Sequence, residues 1–311
     1  MIIINKDLKD IQKFNNYIAL GSFDGLHIGH LSLIYKVVEI AKKNNGKSMV
    51  FTFKNHPKTF INKEHVTKLL MDNDRKVEIL TTYKVDIVCF QEFNLEFMKM
   101  TPEEFVEFLV IKYNVKGFVV GFNYKFGYKN LGNIELLKKL QNKYGYELCV
   151  MEPCTYKTQV ISSTRIRKSL EDGDVLEASK MLSLPYALSG EVINGKKIGR
   201  TIGFPTANLK YNEKFILPKV GVYYTNIKVN NNIYKGITSV GNNPTVQGEK
   251  LTIETYILDY NKNIYGEKID INFIKKIRDM KKFNSVEELK NQLEKDKSFA
   301  KNENYMSSLI I

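Results

Sequence analysis

The chain has 311 residues and a mass of 36.0 kDa, more than one ordinary domain of ~100–200 residues, so two domains with separate cores are expected. Its formal charge of +13 comes from 47 Lys and Arg against 34 Asp and Glu, but the lysines are scattered along every predicted helix and form no arm or stripe, so nucleic acid is not the expected partner. No apolar run approaches the ~20 residues that span a bilayer, and Met1-Ile2-Ile3-Ile4-Asn5-Lys6-Asp7 lacks the basic start and long apolar core of a secretion signal, so a cytoplasmic protein with no membrane partner is expected.

Apolar runs of strand length at 17–20, 48–53, 86–90, 117–122 and 147–151 alternate with amphipathic stretches of helix length at 31–43, 74–83, 101–113 and 134–144. Thr101-Pro102-Glu103-Glu104 adds an N-cap, a first-turn proline and a capping-box glutamate. This alternation predicts an α/β fold: a Rossmann-like domain whose parallel sheet carries helices on both faces. Ligands of such a sheet bind beyond the carboxyl ends of its strands. Cys89, Cys149 and Cys154 form no CxxC and are expected to be reduced, structural and free of metal.

A helical stretch over 163–183 ends at Leu184-Pro185, and the pattern then changes to short alternating strands such as 221–229 and 233–240 around Asn230-Asn231-Asn232. These predict a small antiparallel β-barrel. A last helix runs from Ser285, an N-cap with Glu288 three residues on, to about 306. The expected domains are 1–183 and 184–311.

Two glycine-rich segments stand out. Gly21-Ser22-Phe23-Asp24-Gly25-Leu26-His27-Ile28-Gly29-His30 lies between a predicted strand and a predicted helix. His27 and His30, three apart at the helix start, fall where free N–H groups and the helix dipole favour an anion. The glycines let backbone approach a phosphate, and two imidazole donors suit the charge that builds on a pentavalent phosphorus and a departing pyrophosphate. A zinc pair would need a third ligand, and none has suitable spacing. The second segment, Gly195-Lys196-Lys197-Ile198-Gly199-Arg200-Thr201-Ile202-Gly203-Phe204-Pro205-Thr206-Ala207-Asn208, is not a Walker loop, because no GKS or GKT follows.

The first segment resembles the GxFDGxHxGH box of the adenylyltransferase module of prokaryotic bifunctional riboflavin kinase/FMN adenylyltransferases, the FAD synthetases. Phe53-Lys54-Asn55-His56-Pro57 is similar to that family's FxPHP with Asn55 in place of a proline. Val120-Gly121-Phe122-Asn123-Tyr124-Lys125-Phe126-Gly127 is similar to VGxxFxFG with Tyr124 where many members carry Phe. Ile161-Ser162-Ser163-Thr164-Arg165-Ile166-Arg167 matches ISST-x-IR, and the second segment resembles the GxxxGRxxGFPTAN loop of the riboflavin kinase module. The resemblance implies that His27 and His30 bind ATP phosphates within a loop that includes Gly21, Phe23, Asp24, Gly25 and Gly29. It also implies that Asn123 contacts nucleotide or flavin phosphate and that Ser163, Thr164 and Arg167 hold the triphosphate; a guanidinium beside two hydroxyls is a sensible phosphate clamp.

In the second module the resemblance implies that Gly199 and Gly203 fold the loop over ATP. Thr206 and Asn208, hard oxygen ligands, would hold Mg²⁺. Glu254, in Thr252-Ile253-Glu254-Thr255-Tyr256 after a predicted Gly241-Asn242-Asn243-Pro244-Thr245 turn, is the matched catalytic base. Arg278 and Phe283, with Gln292 and Asp296, match the flavin side. The implied activities are phosphorylation of riboflavin to FMN and adenylation of FMN to FAD, with ATP as co-substrate of both. Two other readings stay open on sequence: another cytidylyl- or adenylyltransferase for the first module, because HxGH is shared by many such enzymes, and a flavin-responsive nucleic-acid regulator.

Overall fold

The structure, a computed structural model, describes residues 1–4, 11–55, 57, 60, 67–195, 198–245 and 248–303. Residues 1–162 form one compact unit and the chain from 163 another.

The first unit is built on β1 (Ile2–Ile4), β2 (Asn16–Leu20), β3 (Lys47–Phe53), β4 (Ile87–Gln91), β5 (Val115–Gly121) and β6 (Glu147–Met151). All five pairings are parallel, in the order β1-β4-β3-β2-β5-β6. Every residue of β2 is buried, and so are the five central residues of β3, as a sheet covered on both faces requires; most are apolar, and the polar Asn16, Ser48 and Thr52 are hydrogen-bonded. Phe51 gathers Phe97, Phe105 and Tyr113 around it, all with ring centroids between 6.0 and 6.3 Å away. Helices α1 (Ile28–Lys43), α2 (Asn73–Thr82), α3 (Leu95–Lys99), α4 (Pro102–Tyr113) and α5 (Ile134–Tyr144) fill the connections. The predicted capping box at Thr101 forms, with Thr101 and Glu104 bonded reciprocally. β1 and α3 were too short for periodicity to reveal. Cys89 is a core thiol 3.4 Å from the Tyr113 hydroxyl, and burial pushes its pKa up to about 11, which leaves it inert; none of the three cysteines is in a disulfide.

The order has a functional consequence. Starting at β2, the chain adds β3 and β4 on one side and then crosses to add β5 and β6 on the other. The carboxyl ends of β2 and β5 therefore flank a topological switch point, the place where open α/β sheets leave a crevice. After a short hairpin, β7 (Thr155–Tyr156) with β8 (Gln159–Val160), the first unit ends.

The second unit opens with two helices where one stretch is predicted: α6 (Ser163–Asp172) and α7 (Val175–Leu182). Gly173 separates them at φ 85°, a left-handed cap that lets the Gly173 and Asp174 amides bond back to the carbonyls of Leu170 and Ser169. The Lys219 amide donates to the Leu170 carbonyl at 2.9 Å, tying α6 into this unit.

The barrel expectation holds. Strands β9 (Tyr186–Ile193), β10 (Thr206–Tyr211), β11 (Gly221–Val229), β12 (Asn232–Thr245), β13 (Gly248–Ile257) and β14 (Lys268–Arg278) close in the order β10-β13-β12-β11-β14-β9, with every pairing antiparallel. The β11–β12 turn has Asn230 at φ 47° and Asn231 at 66°, the left-handed pair that a tight hairpin demands. One expectation is corrected: Gly241–Thr245 is not a turn but the continuation of β12, paired with β13 as far as Thr245 and Gly248. β11 pairs no further than Val240, so Pro244 sits on a one-sided edge where its missing N–H costs no ladder bond. Helix α8 (Val286–Asn302), capped by Ser285, packs Phe299 and Ala300 against Val222, Tyr224 and Ile274.

Candidate active sites

β2 ends at Leu20, and the chain turns through Gly21–His27 into α1. Phe23 (φ 47°), Gly25 (85°) and Leu26 (41°) all take left-handed backbone. Two of these three are not glycine, a strain of roughly 1–3 kcal/mol each that persists because the surroundings enforce it. The Phe23 and Leu26 side chains are fully buried and hold the turn in place. Phe23 is thus a wedge beneath the loop, its ring edge-on to His30 at 5.3 Å.

His27 caps α1, its Nδ1 accepting the His30 backbone N–H at 3.3 Å. That bond fixes the tautomer, so the ring proton lies on Nε2. The His27 and His30 rings stack, with centroids 3.6 Å apart and planes at 17°. A Cβ on Gly29 would stand 3.3 Å from the His27 ring, so glycine there preserves the stack. Burial pushes the His27 pKa down to about 4, and burial together with His27 and Lys76 holds His30 well below its ordinary value. Both imidazoles are therefore neutral at physiological pH, and the buried His30 Nδ1 has no partner among the described residues.

Asp24 is buried and accepts the Leu70 backbone N–H at 3.0 Å, which ties the loop to the segment before α2. The Ser22 carbonyl accepts twice, from Thr52 Oγ1 at 2.9 Å and from Lys76 Nζ at 3.3 Å. Lys76, on α2, is only 4% exposed. No motif pointed to it; the signal available in sequence was a lysine on the apolar face of a predicted helix. Asn123 is exposed two residues beyond the end of β5, so it shares the switch-point end of the sheet with the β2 loop. His56 lies outside the described residues.

Ser163, Thr164 and Arg167 occupy the first turns of α6, in the second unit.

On the barrel, Ile253, Thr255 and Ile257 point inward and are buried, which turns Glu254 to the outer face. Register places Asn208 directly across from Glu254, and Thr206 Oγ1 donates to Glu254 Oε2 at 3.4 Å. Three residues separated by up to 48 positions thus meet on one surface. Gly195 makes room for them, because a Cβ there would stand 2.1 Å from Asn208 Nδ2. The loop before β10 closes on itself through the Phe204 amide and the Gly199 carbonyl, 2.8 Å, with Gly203 at φ 85° and no room for a Cβ at Gly199 against the Phe204 carbonyl. Lys196 and Lys197 lie outside the described residues.

Arg278 is engaged with the fold. Its Nε and Nη2 grip the buried Asp296 carboxylate at 2.7–3.1 Å, Nη1 donates to the Asp279 carbonyl, and Gln292 completes Asp296. The guanidinium lies 5.9 Å from the Phe283 ring centroid. Arg278, Phe283, Gln292 and Asp296 are therefore brought together, beside a cleft of about 410 Å³ lined by Lys281, Phe283, Ser285, Asn291, Gln292 and Lys295.

Each unit thus carries a site suited to phosphate chemistry, and comparison with known proteins agrees. Residues 9–165 match the FAD synthetase family and residues 182–303 the riboflavin kinase family. This chain belongs to the bifunctional riboflavin kinase/FMN adenylyltransferase family. It is 38% identical over 284 residues to the Listeria monocytogenes bifunctional riboflavin kinase/FMN adenylyltransferase, covering 91% of this chain and 90% of that one. The Bacillus subtilis bifunctional riboflavin kinase/FMN adenylyltransferase is 35% identical over 295 residues, 93% of this chain and 92% of its own. Among solved structures, a macrolide-efflux protein from Streptococcus pneumoniae superposes with a TM-score of 0.89 at 34% identity, over 97% of this chain and 100% of that one. No helix among the described residues is long and apolar enough to cross a membrane. An FAD synthetase domain comes first and a riboflavin kinase domain second, with ATP, riboflavin and FMN as substrates and FAD as product.

Proposed function

We propose that the two activities divide at 183/184, adenylyl transfer belonging to 1–183 and phosphorylation to 184–311, with the residues named above in the following roles. The riboflavin kinase match begins at 182, beside this boundary, while the FAD synthetase match ends at 165 and the compact units part at 162/163.

In the second domain Glu254 accepts the proton of riboflavin's terminal ribityl hydroxyl as that oxygen attacks the γ-phosphorus of ATP, giving FMN and ADP. The observation that carries this role is the register that sets Glu254 beside Thr206 and opposite Asn208: one carboxylate with a hydroxyl and an amide, all oxygen donors on an outer face. That set fits a Mg²⁺ held by one or two protein oxygens and the substrate phosphates, and Thr206 and Asn208 would hold it. When bound, the ion neutralises phosphate charge. Gly199 and Gly203 shape the loop over ATP, while Phe283 and the Arg278–Asp296 pair form a wall for the flavin ring.

In the first domain a phosphate oxygen of FMN attacks the α-phosphorus of ATP and pyrophosphate leaves, giving FAD. No protein nucleophile takes part. His27 and His30, neutral and each with one ring N–H, stabilise developing negative charge on the triphosphate without first having to lose a proton. Asn123, and separately Ser163, Thr164 and Arg167, contribute further phosphate contacts. The cytoplasm, where ATP and Mg²⁺ are abundant, is the fitting compartment.

Incubation of the full chain with riboflavin, ATP and Mg²⁺, followed by chromatography of the flavins, tests the assignment. FMN appearing first and FAD after it is expected. FMN that accumulates without FAD would overturn the role of the His27–His30 loop, and no FMN would overturn that of Glu254.

A further inference from the structure

Lys76 belongs to none of the motifs, yet it is the ammonium group built most closely into the β2–α1 loop. It projects from α2, is 4% exposed, and donates to the Ser22 carbonyl at 3.3 Å. The same carbonyl is held from the sheet side by Thr52 Oγ1 at 2.9 Å. Ser22 immediately precedes the left-handed turn that carries the stacked imidazoles, so its carbonyl is a fixed point for the whole loop.

Among the described residues, the charged and titratable groups that act on Lys76 are few. Asp24 from the loop and Asp72 at the cap of α2 favour its ammonium form, His30 stands close enough to feel its charge, and burial opposes that charge. Lys76 is thus a buried ammonium fixed to the loop backbone and within electrostatic reach of the neutral His30.

We propose that Lys76 is a positioning residue of the adenylyl-transfer site: it anchors the Ser22 carbonyl and places a buried positive charge behind His30, so that the phosphates of ATP meet a fixed loop and a favourable field while the imidazoles stay neutral donors. The proposal rests on reading the His27–His30 loop as the ATP phosphate site. It predicts a pH signature. Burial lowers the Lys76 pKa from 10.5 to about 8, so the charge is present below that pH and lost above it. The kcat/KM for adenylation, which reports the free enzyme, should therefore fall as pH rises through about 8. ATP binding raises the pKa of the lysine, so kcat should fall only at higher pH.

The test uses the full chain with FMN and MgATP from pH 6 to 9.5, comparing wild type with Lys76→Met, Lys76→Arg and His30→Ala, and uses riboflavin phosphorylation by the same protein as a measure of folding. Lys76→Met should lose about 100-fold in kcat/KM for adenylation, mostly through a raised KM for ATP, and should lose the alkaline fall. Lys76→Arg, charged throughout, should keep part of the activity and likewise show no fall near pH 8. Phosphorylation should be unchanged in both. Wild-type kinetics in Lys76→Met alongside an inactive His30→Ala would overturn the role of Lys76 and leave the loop reading standing. Equal losses in Lys76→Met and Lys76→Arg with the alkaline fall retained would also overturn it. An active His30→Ala would overturn the loop reading and this proposal together.

Discussion

The two candidate sites reach similar chemistry by opposite constructions. The β2–α1 site is one continuous segment, buried, with left-handed backbone at Phe23 and Leu26 and its two imidazoles locked in a stack. The barrel site is assembled by register from residues far apart in sequence, on the outer face of β10 and β13, where Glu254, Thr206 and Asn208 are all half-buried. The contrast follows from the reactions. Adenylyl transfer needs only positioning and charge stabilisation, which a rigid, desolvated loop supplies best, whereas phosphorylation of a hydroxyl also needs a carboxylate within reach of the incoming alcohol, and the outer face of a strand presents one.

If the sites are independent, Glu254→Ala should lower FMN formation from riboflavin by about 100- to 10 000-fold and leave adenylation of supplied FMN intact. His30→Ala should do the reverse, with a loss of about 100- to 1000-fold in FAD formation. Loss of both activities from either change in a folded protein would collapse the comparison into one coupled site.

The burial of His27 should be visible as acid sensitivity confined to the first domain. Its folded pKa of about 4 lies below the ordinary 6.5, so the unfolded chain takes up the proton first. Stability from this group is complete above pH 6.5 and lost as pH falls toward 4, a loss on the order of 3 kcal/mol. Thermal melts of wild type and His27→Gln between pH 7 and 4.5 should show a smaller acid loss in the variant; parallel curves would contradict the buried neutral state.

On the barrel, Gly195→Ala should push the Asn208 amide from its place opposite Glu254 and weaken phosphorylation about tenfold, read as a raised KM for MgATP, with adenylation untouched. The smallest effect is a control away from both sites: Thr101→Ala removes the capping box of α4 and should cost about 1 kcal/mol of stability while leaving both activities unchanged.

Much of this architecture was written locally. The alternation of apolar runs with helix-length stretches led to the parallel sheet within a residue or two at most strand ends, since a strand buried on both faces must be predominantly apolar. Asn230-Asn231 announced its hairpin because asparagine tolerates left-handed backbone. The split of 163–183 at Gly173 was legible too, but only to a reader who weighs one glycine against the surrounding helical pattern. Gly241–Thr245 misled because Gly, Asn and Pro signal a turn wherever they occur. Which edge of a strand is left unpaired, and so accepts a proline, depends on how far the neighbouring strand extends.

Sequence by itself therefore determined the two domains, their fold classes and the chemically specific strings, because propensity, periodicity and loop composition act over short distances along the chain. Tertiary structure decided the rest. That His27 and His30 stack and stay neutral, that Glu254 faces Thr206 and Asn208, and that Lys76 reaches the Ser22 carbonyl all depend on burial and on register between segments tens of residues apart. Desolvation and cross-strand geometry belong to the packed molecule, and no local pattern encodes them.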